Sequence, residues 1–403
     1  MNSDFIRETL ETPVRGEYDV IVCGGGVAGV SAAVCAGREG AKVLLLEKAA
    51  ALGGLATIGL ISWYEPICDG KGRRIMGGMT EELMELSMKY GFATLPEGWK
   101  NIKTSDEPRR CATHFSHTLF SLALLELCES AGVEVLFDTA VVSAQVADNR
   151  IRGVIVENKD GRGFYGAKMV IDATGDADIA LRCGIPCEDG ESFFTYIAYH
   201  TDLERAQLTV DKQDMYHSRK WMHIGSDLWG KGHPEGMPTF HGIDAKSESF
   251  MLAEGQRRLL DALRNDEGSA RELTTLPGMA HYRKTRRIVG GYTLTEQDQI
   301  KAFVDSVGVA GDFVYRGILY ELPYRILYSA MIENLFAAGR IVSSTGWAWD
   351  MTRVIPVAVA TGQAAGTAAA LCIRQNVSNR ALELSTLQAV LAKTGVNIHI
   401  DSL

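Results

Sequence analysis

Apolar residues fall into short runs along the first fifty positions, and each run has its own period. Asp19–Cys23 reads DVIVC, a β-branched apolar run that predicts a buried strand. Val30–Glu39 is rich in alanine and apolar residues and predicts a helix. Lys42–Leu46 is a second apolar run, closed by Glu47. Further on, His117–Gly132 predicts a helix, and strands are expected near 133–147, 150–158 and 163–173. Asn334–Arg340 reads NLFAAGR, a strand into a Gly-Arg turn. From Val354 to Ile373 there is no charge, but Pro356, Gly362, Gln363, Gly366 and many alanines replace the Leu and Phe of a bilayer span. A helix buried on most sides, with no membrane span, is the expectation.

Between the first strand and helix stand Gly24-Gly25-Gly26-Val27-Ala28-Gly29. The order strand, glycine turn, helix, strand, acid is what a dinucleotide needs. Gly24 permits the tight turn, Gly26 lets a pyrophosphate approach the backbone, and Gly29 lets the helix pack closely on the strand. The helix N-terminus then offers free N–H groups and a positive dipole end. Glu47 lies 18 residues after Gly29, where an acid accepts from ribose hydroxyls and disfavours a 2′-phosphate. Gly161-Arg-Gly163-Phe-Tyr-Gly166 has the same glycine spacing, but it lies between two strand-like runs with no helix to follow. It is expected to be a hairpin turn.

Composition narrows the class. With 403 residues, 46% hydrophobic and 23% charged, the chain has length for two or three domains and enough apolar surface to bury a core. The net charge of −9 argues against a general nucleic-acid binder or an RNA-modifying enzyme, despite a basic stretch at 281–287. The eight cysteines include no CxxC pair, and scattered thiols fit a reducing compartment. Residues 1–19 lack the basic and apolar regions of a secretory signal, so a cytoplasmic location is expected. His114 and His117 lie three apart, but no convergent acid or cysteine is evident and no metal site is expected.

The glycine unit alone fits NAD or FAD. Three further pieces bear on the choice: Gly53-Gly54-Leu55-Ala56-Thr57 after the acidic strand end, Met169–Asp178 (MVIDATGDAD), and NLFAAGR followed by Thr352–Pro356. Together these resemble the glutathione-reductase-type FAD fold and, more closely, the FAD-dependent oxidoreductases related to fumarate-reductase flavoproteins. Gly362–Leu371 (GQAAGTAAAL) and Thr285–Thr295 (TRRIVGGYTLT) are similar to runs of that family. Relatives often carry a histidine between the Gly-Arg turn and the following Arg-Val-x-Pro. Here Ser343–Trp349 reads SSTGWAW.

The resemblance implies an α/β fold: a glutathione-reductase-type FAD-binding Rossmann domain with a three-stranded β-meander and an inserted α+β substrate domain. The FAD domain would comprise 17–60, 112–188 and 320–378, with a small cap excursion at 61–111 and the substrate domain at 189–319. It also implies site residues. Gly24, Gly26, Val27, Ala28, Gly29, Glu47 and Lys48 would hold the ADP half. Gly54, Leu55, Ala56 and Thr57 would run along the pyrophosphate and flavin, and Val141 would set backbone against adenine. Ala173, Thr174, Gly175 and Asp178 would line the pyrophosphate side. Gly339, Arg340, Arg353 and Val354 would contact ribityl and isoalloxazine, with the helix from Val354 aimed at the edge that gains negative charge on reduction.

The function implied is hydride transfer between a small organic substrate and the flavin N5. The runner-up is a flavoprotein whose FAD is structural or sensory. Such chemistry calls for a positioned base and for cations that clamp carboxylates. The candidates are Arg286 from the basic run His281–Arg287, Arg325, His281 and Tyr64. No second separate dinucleotide unit is evident, so no stable NAD(P) domain is expected, and the electron acceptor is open. The aromatic-rich insert suits a sugar or a planar ring, and arginines suit a carboxylate.

Overall fold

The computed structural model describes residues 8–95, 99, 111–264 and 271–403. Residues 1–7, and 96–98 and 100–110 of the excursion expected at 61–111, lie outside the described residues.

A parallel sheet forms the centre. Its strands run Glu134–Leu136, Val43–Leu46, Val14–Cys23 and Gly161–Asp172, and Leu335–Ala337 joins beyond the last. Val20–Cys23 and Val43–Leu46 are buried throughout, as expected of parallel strands covered on both faces. Side chains alternate between two cores. Val20, Val22, Val43 and Leu45 face the helical layer, whereas Ile21, Cys23, Leu44 and Leu46 face the opposite side.

The helical layer holds Val27–Arg38 and Ile355–Gln375 side by side. Its composition follows from how closely they approach. A Cβ on Gly362 would lie 2.2 Å from the Ala28 carbonyl oxygen, and one on Gly366 would lie 2.1 Å from that of Ala32. Ser31 Oγ donates to the Val359 carbonyl at 2.8 Å. The small residues of GQAAGTAAAL are therefore a helix contact. By length and hydropathy Ile355–Gln375 would cross a membrane, but 94% of its apolar window is buried inside the protein.

Gly161–Asp172 changes neighbour along its length. Residues 161–166 pair antiparallel with 153–158, and 170–172 pair parallel with Leu335–Ala337. Arg150–Asn158 also pairs antiparallel with Ala140–Ala147. The GRGFYG run opens this hairpin, as its lack of a following helix implied. The single strand expected at 133–147 is two. Asp138 takes φ +48° and breaks the run, so Glu134–Leu136 stays in the parallel sheet and Ala140–Ala147 enters the antiparallel layer.

A second sheet lies in the insert, with Thr195–Asp202 between Lys220–Gly225 and Arg271–Thr275, all antiparallel. Phe194, Tyr196 and Ala198 pack on the helix Ala245–Arg264 through Met251 and Leu259. By strand alternation Thr195, Ile197 and Tyr199 face the other way, toward the main body. The insert's own apolar cluster reaches Tyr282, whereas Leu294, Phe303, Val307 and Leu319 pack into the main core. Within the excursion at 61–111, Met79–Met88 also packs into that core, through Met79, Leu83 and Met84.

Candidate active site

Four glycines build the turn after the first strand, and three of them are explained by protein packing. A Cβ on Gly24 (φ +106°) would sit 2.4 Å from the Ala173 carbonyl oxygen. One on Gly25 would meet Leu52 at 2.6 Å, and one on Gly29 would meet the Gly24 carbonyl oxygen at 1.8 Å. Gly26 differs, because a Cβ there has nothing within 4 Å. Its backbone faces open space at the start of a helix whose N-cap carries no side-chain hydrogen bond. A helix N-terminus left bare in this way is an anion cradle. The residues present therefore fit a pyrophosphate.

Other expected cofactor segments converge here. Gly53 donates its N–H to the Gly25 carbonyl at 2.8 Å, which lays Gly54 beside Gly26. Gly54, Leu55 and Ala56 form one helical turn, and Thr57 spends its hydroxyl on the Leu52 carbonyl at 2.6 Å. Glu47 is buried and accepts from Gly25 N at 2.6 Å and Ala49 N at 2.7 Å. Burial pushes its carboxyl above the ordinary value. A carboxylate has about four lone-pair sites, so acceptor capacity remains for a ribose. Lys48 is exposed beside it. Thr139 N donates to the Glu47 carbonyl, which brings the strand carrying Val141 to the same end.

The next turn, 172–180, is organised by Asp172, which sequence reasoning missed. Its buried carboxylate accepts from Thr174 N and Oγ1 and from Ile179 and Ala180 N, at 2.7 to 3.1 Å. Burial nonetheless pushes it up to about 6. Ala173 N donates to the Cys23 carbonyl, so this turn abuts the glycine turn. Gly175 is clamped from outside. Arg340 donates to its carbonyl and pairs with Asp176 at 2.7 Å. Arg340 thus ties the Gly339 turn to the 172–180 turn, while Gly339 (φ +81°) lies against Ala28. Asp178 sits at the short helix that follows and faces Arg182 and Arg286.

Val354 is the N-cap of Ile355–Gln375 and offers no side-chain cap. Glu65 reaches it instead, accepting from Ile355 N at 3.3 Å. Burial pushes Glu65 up to about 7, with the Arg353 guanidinium pulling the other way. Arg353 pairs with Asp350 at 3.0 Å, and Asp350 also takes Lys284 at 2.9 Å. Glu65 was missed in favour of its neighbour. Tyr64 is fully buried and donates its hydroxyl to the Thr80 carbonyl at 2.7 Å, and Thr80 Oγ1 donates to the Pro356 carbonyl at 3.1 Å, so Tyr64 meets the first turn of this helix only through Thr80.

The remaining candidates fall in different places. Arg286 sits against the 172–180 turn, near Asp189 at 3.4 Å and the Asp176 carbonyl at 3.3 Å. Arg325 makes a bidentate pair with Asp305 at 2.8 and 3.0 Å. His281 is buried, with Nε2 2.6 Å from the Gly59 carbonyl, and desolvation lowers it to about 4. It is neutral near pH 7. Three residues of its run reach the inserted sheet: His281 lies edge-on to Tyr196, Tyr282 joins the apolar cluster behind it, and Arg283 brings a cation. Arg283 donates to Thr195 Oγ1 at 2.9 Å and to the Ser226 carbonyl at 3.2 Å. Tyr199 closes the other end of that face by a hydroxyl contact with Ser62, and Trp221 Nε1 donates to the Leu60 carbonyl at 3.1 Å.

Residues 19–262 and 244–391 match the family described as FAD dependent oxidoreductase. Among curated proteins, the chain is 24% identical over 207 residues to a digeranylgeranylglycerophospholipid reductase of Methanosphaerula palustris, 48% of each chain. A reductase of the same name from Methanospirillum hungatei is 24% identical over 203 residues, 47% of this chain and 48% of that one. The chain spans about half the length of the curated relatives it matches. Among solved structures, p-nitrophenol 4-monooxygenase PnpA of Pseudomonas putida aligns with TM-score 0.51 at 13% identity, covering 94% of this chain and 87% of that one. Aklavinone-11 hydroxylase, solved with FAD and aklavinone, gives 0.51 at 14%, covering 91% and 64%. These structures share the mixed α/β fold with its parallel sheet. By the family match, which covers most of its length, the chain belongs to the FAD-dependent oxidoreductases.

Proposed function

We propose that the chain is an oxidoreductase that exchanges a hydride between a small organic substrate and the N5 of FAD. The observation that carries this is the open face of Gly26 among three glycines packed against protein, at the bare N-terminus of Val27–Arg38. In this reading the fold is of the glutathione-reductase type. Gly24–Gly29 and Glu47 hold the ADP half, and Gly53–Thr57 and Ala173–Gly175 flank the pyrophosphate. Gly339, Arg353 and Val354 border the ring.

When bound, FAD supplies the hydride-accepting chemistry. The chain supplies the rest. The N-terminus of Ile355–Gln375 and Arg353 set positive potential where negative charge develops. Glu65, held up to about 7, keeps a titratable carboxyl at that helix end and can hold or release a proton there. The inserted sheet covers the site and excludes water. A cytoplasmic setting belongs to the proposal and rests on the eight free cysteines.

The test is the absorbance spectrum of the purified protein, followed by anaerobic titration with hydroxy acids, sugars and NAD(P)H. A bound flavin that one of these compounds bleaches supports the proposal and names the substrate class. Protein that cannot be loaded with FAD overturns it.

A further inference from the structure

We propose that Arg283 is the seat of a carboxylate of the substrate, held at the inner face of the inserted sheet. The proposal deepens the oxidoreductase reading and rests on it.

Charges withdrawn from water tend to be paired, and Arg283 is half-buried. In the basic run, Lys284 has Asp350, Arg286 has Asp189 and Arg287 has Glu188. Among the described residues, Arg283 has no carboxylate within ion-pair distance. Its two hydrogen bonds, to Thr195 Oγ1 and the Ser226 carbonyl, go to neutral acceptors. They fix the guanidinium without neutralising it. Burial, with Arg353 as a like-charged neighbour, lowers it to about 10, so it stays charged near pH 7. A guanidinium has five donors in a rigid fork, and only two are engaged here.

The surrounding charges leave room for one anion. Arg283, Lys284 and Arg353 face Asp350 and Asp227, while Glu65 sits near its midpoint at neutral pH. With Glu65 protonated, three cations meet two anions, and with it ionised the charges balance, so the surplus positive charge belongs to the protonated form. One surplus charge on one fork matches a carboxylate, which a guanidinium binds through two parallel hydrogen bonds. A phosphate dianion would need a second free cation, and Arg353 is already tied to Asp350.

Position separates this site from the cofactor cradle. The hydrogen bonds of Arg283 run to the inserted sheet, whereas the glycine turn packs against Ala173, Leu52 and Glu47. Arg219 provides a contrast on the same face. It also lacks a carboxylate among the described residues, but its guanidinium lies 4.5 Å over the Tyr199 ring and reaches Ser116. Tyr199 is four residues from Thr195, about 13 Å along the strand. Arg219 therefore serves the closing contact, and Arg283 is left to recognise a ligand.

The test uses the FAD-loaded protein, titrated with acetate, malonate and benzoate and with the amide of each acid. Binding is read as perturbation of the flavin absorbance and, separately, as quenching of tryptophan fluorescence. At least one carboxylate should bind ten or more times more tightly than its amide. Arg283→Gln should lose at least tenfold of that affinity at unchanged FAD content. Arg283→Lys, which keeps the charge without the fork, should fall between, and it serves in place of Arg283→Gln if that variant does not fold. Equal binding of acid and amide, no binding by any acid, or wild-type affinity in the variants would overturn the proposal. If the protein does not take up FAD, the oxidoreductase reading fails instead. The fluorescence titration still decides whether Arg283 binds a carboxylate.

Discussion

The glycine turn and the inner face of the inserted sheet are built from different materials. The turn is backbone. Its glycines are set by contacts as close as 1.8 Å for a missing Cβ, and its donors are N–H groups at a helix end. The inserted face is side chains: Arg283 holds it through two hydrogen bonds, and Tyr199 and Trp221 meet the main body through one contact each. The first kind of site tolerates almost no substitution and takes one class of ligand. The second can be rewritten one residue at a time, and it is where substrate preference can change without loss of the fold.

The largest effect should come from Gly29→Ala. The new Cβ would overlap the Gly24 carbonyl, a backbone atom that cannot yield, so the turn itself must move. We expect a loss of about 3 kcal/mol or more in urea unfolding, with no FAD retained through gel filtration. Arg340→Ala should follow. It strips a mostly buried pair and leaves Asp176 uncompensated, at a cost on the order of 3 kcal/mol, seen as a lower urea midpoint and weaker FAD retention.

The pH dependence should be smaller and signed. The folded pKa of His281 is lowered, so the folded state binds fewer protons than the unfolded chain between about 4 and 6.5. Stability from this group is present above the unfolded value and is lost as pH falls through that window. His281→Gln should flatten the decline of the urea midpoint between pH 6.5 and 4. Smallest of all, Tyr199→Phe should cost about 1 kcal/mol and leave FAD binding intact. An equal loss of FAD in Tyr199→Phe and Arg340→Ala would erase the distinction between the two regions.

The two regions were not equally legible in the sequence. Gly24, Gly26, Gly29 and Glu47 stand at spacings that only a strand, a tight turn and a helix reconcile, so the cradle could be read directly. The meaning of GQAAGTAAAL as a helix contact required knowing its partner, because Gly362 and Gly366 are small to admit Ala28 and Ala32 from over 300 positions away. Glu65 is a single carboxylate and Asp172 is the first of three in MVIDATGDAD, and no spacing marks either as the one that is buried. The choice of Arg286 over Arg283 turned on side-chain direction in an irregular segment. The strand Arg286–Ile288 pairs with Cys187–Asp189, which turns Arg286 toward the 172–180 turn, while Arg283 precedes that strand. Tyr64 and Glu65 show the same limit, since one residue of offset decides which accepts from the helix N–H directly and which reaches the helix only through Thr80.

The central claim is that the open face of Gly26 is the cofactor cradle. The direct test is Gly26→Ala, measured for unfolding without FAD and for FAD affinity. The added methyl meets no protein atom within 4 Å, so the account predicts an apoprotein within about 0.5 kcal/mol of wild type and FAD binding weakened tenfold or more. Wild-type FAD affinity in Gly26→Ala would contradict it.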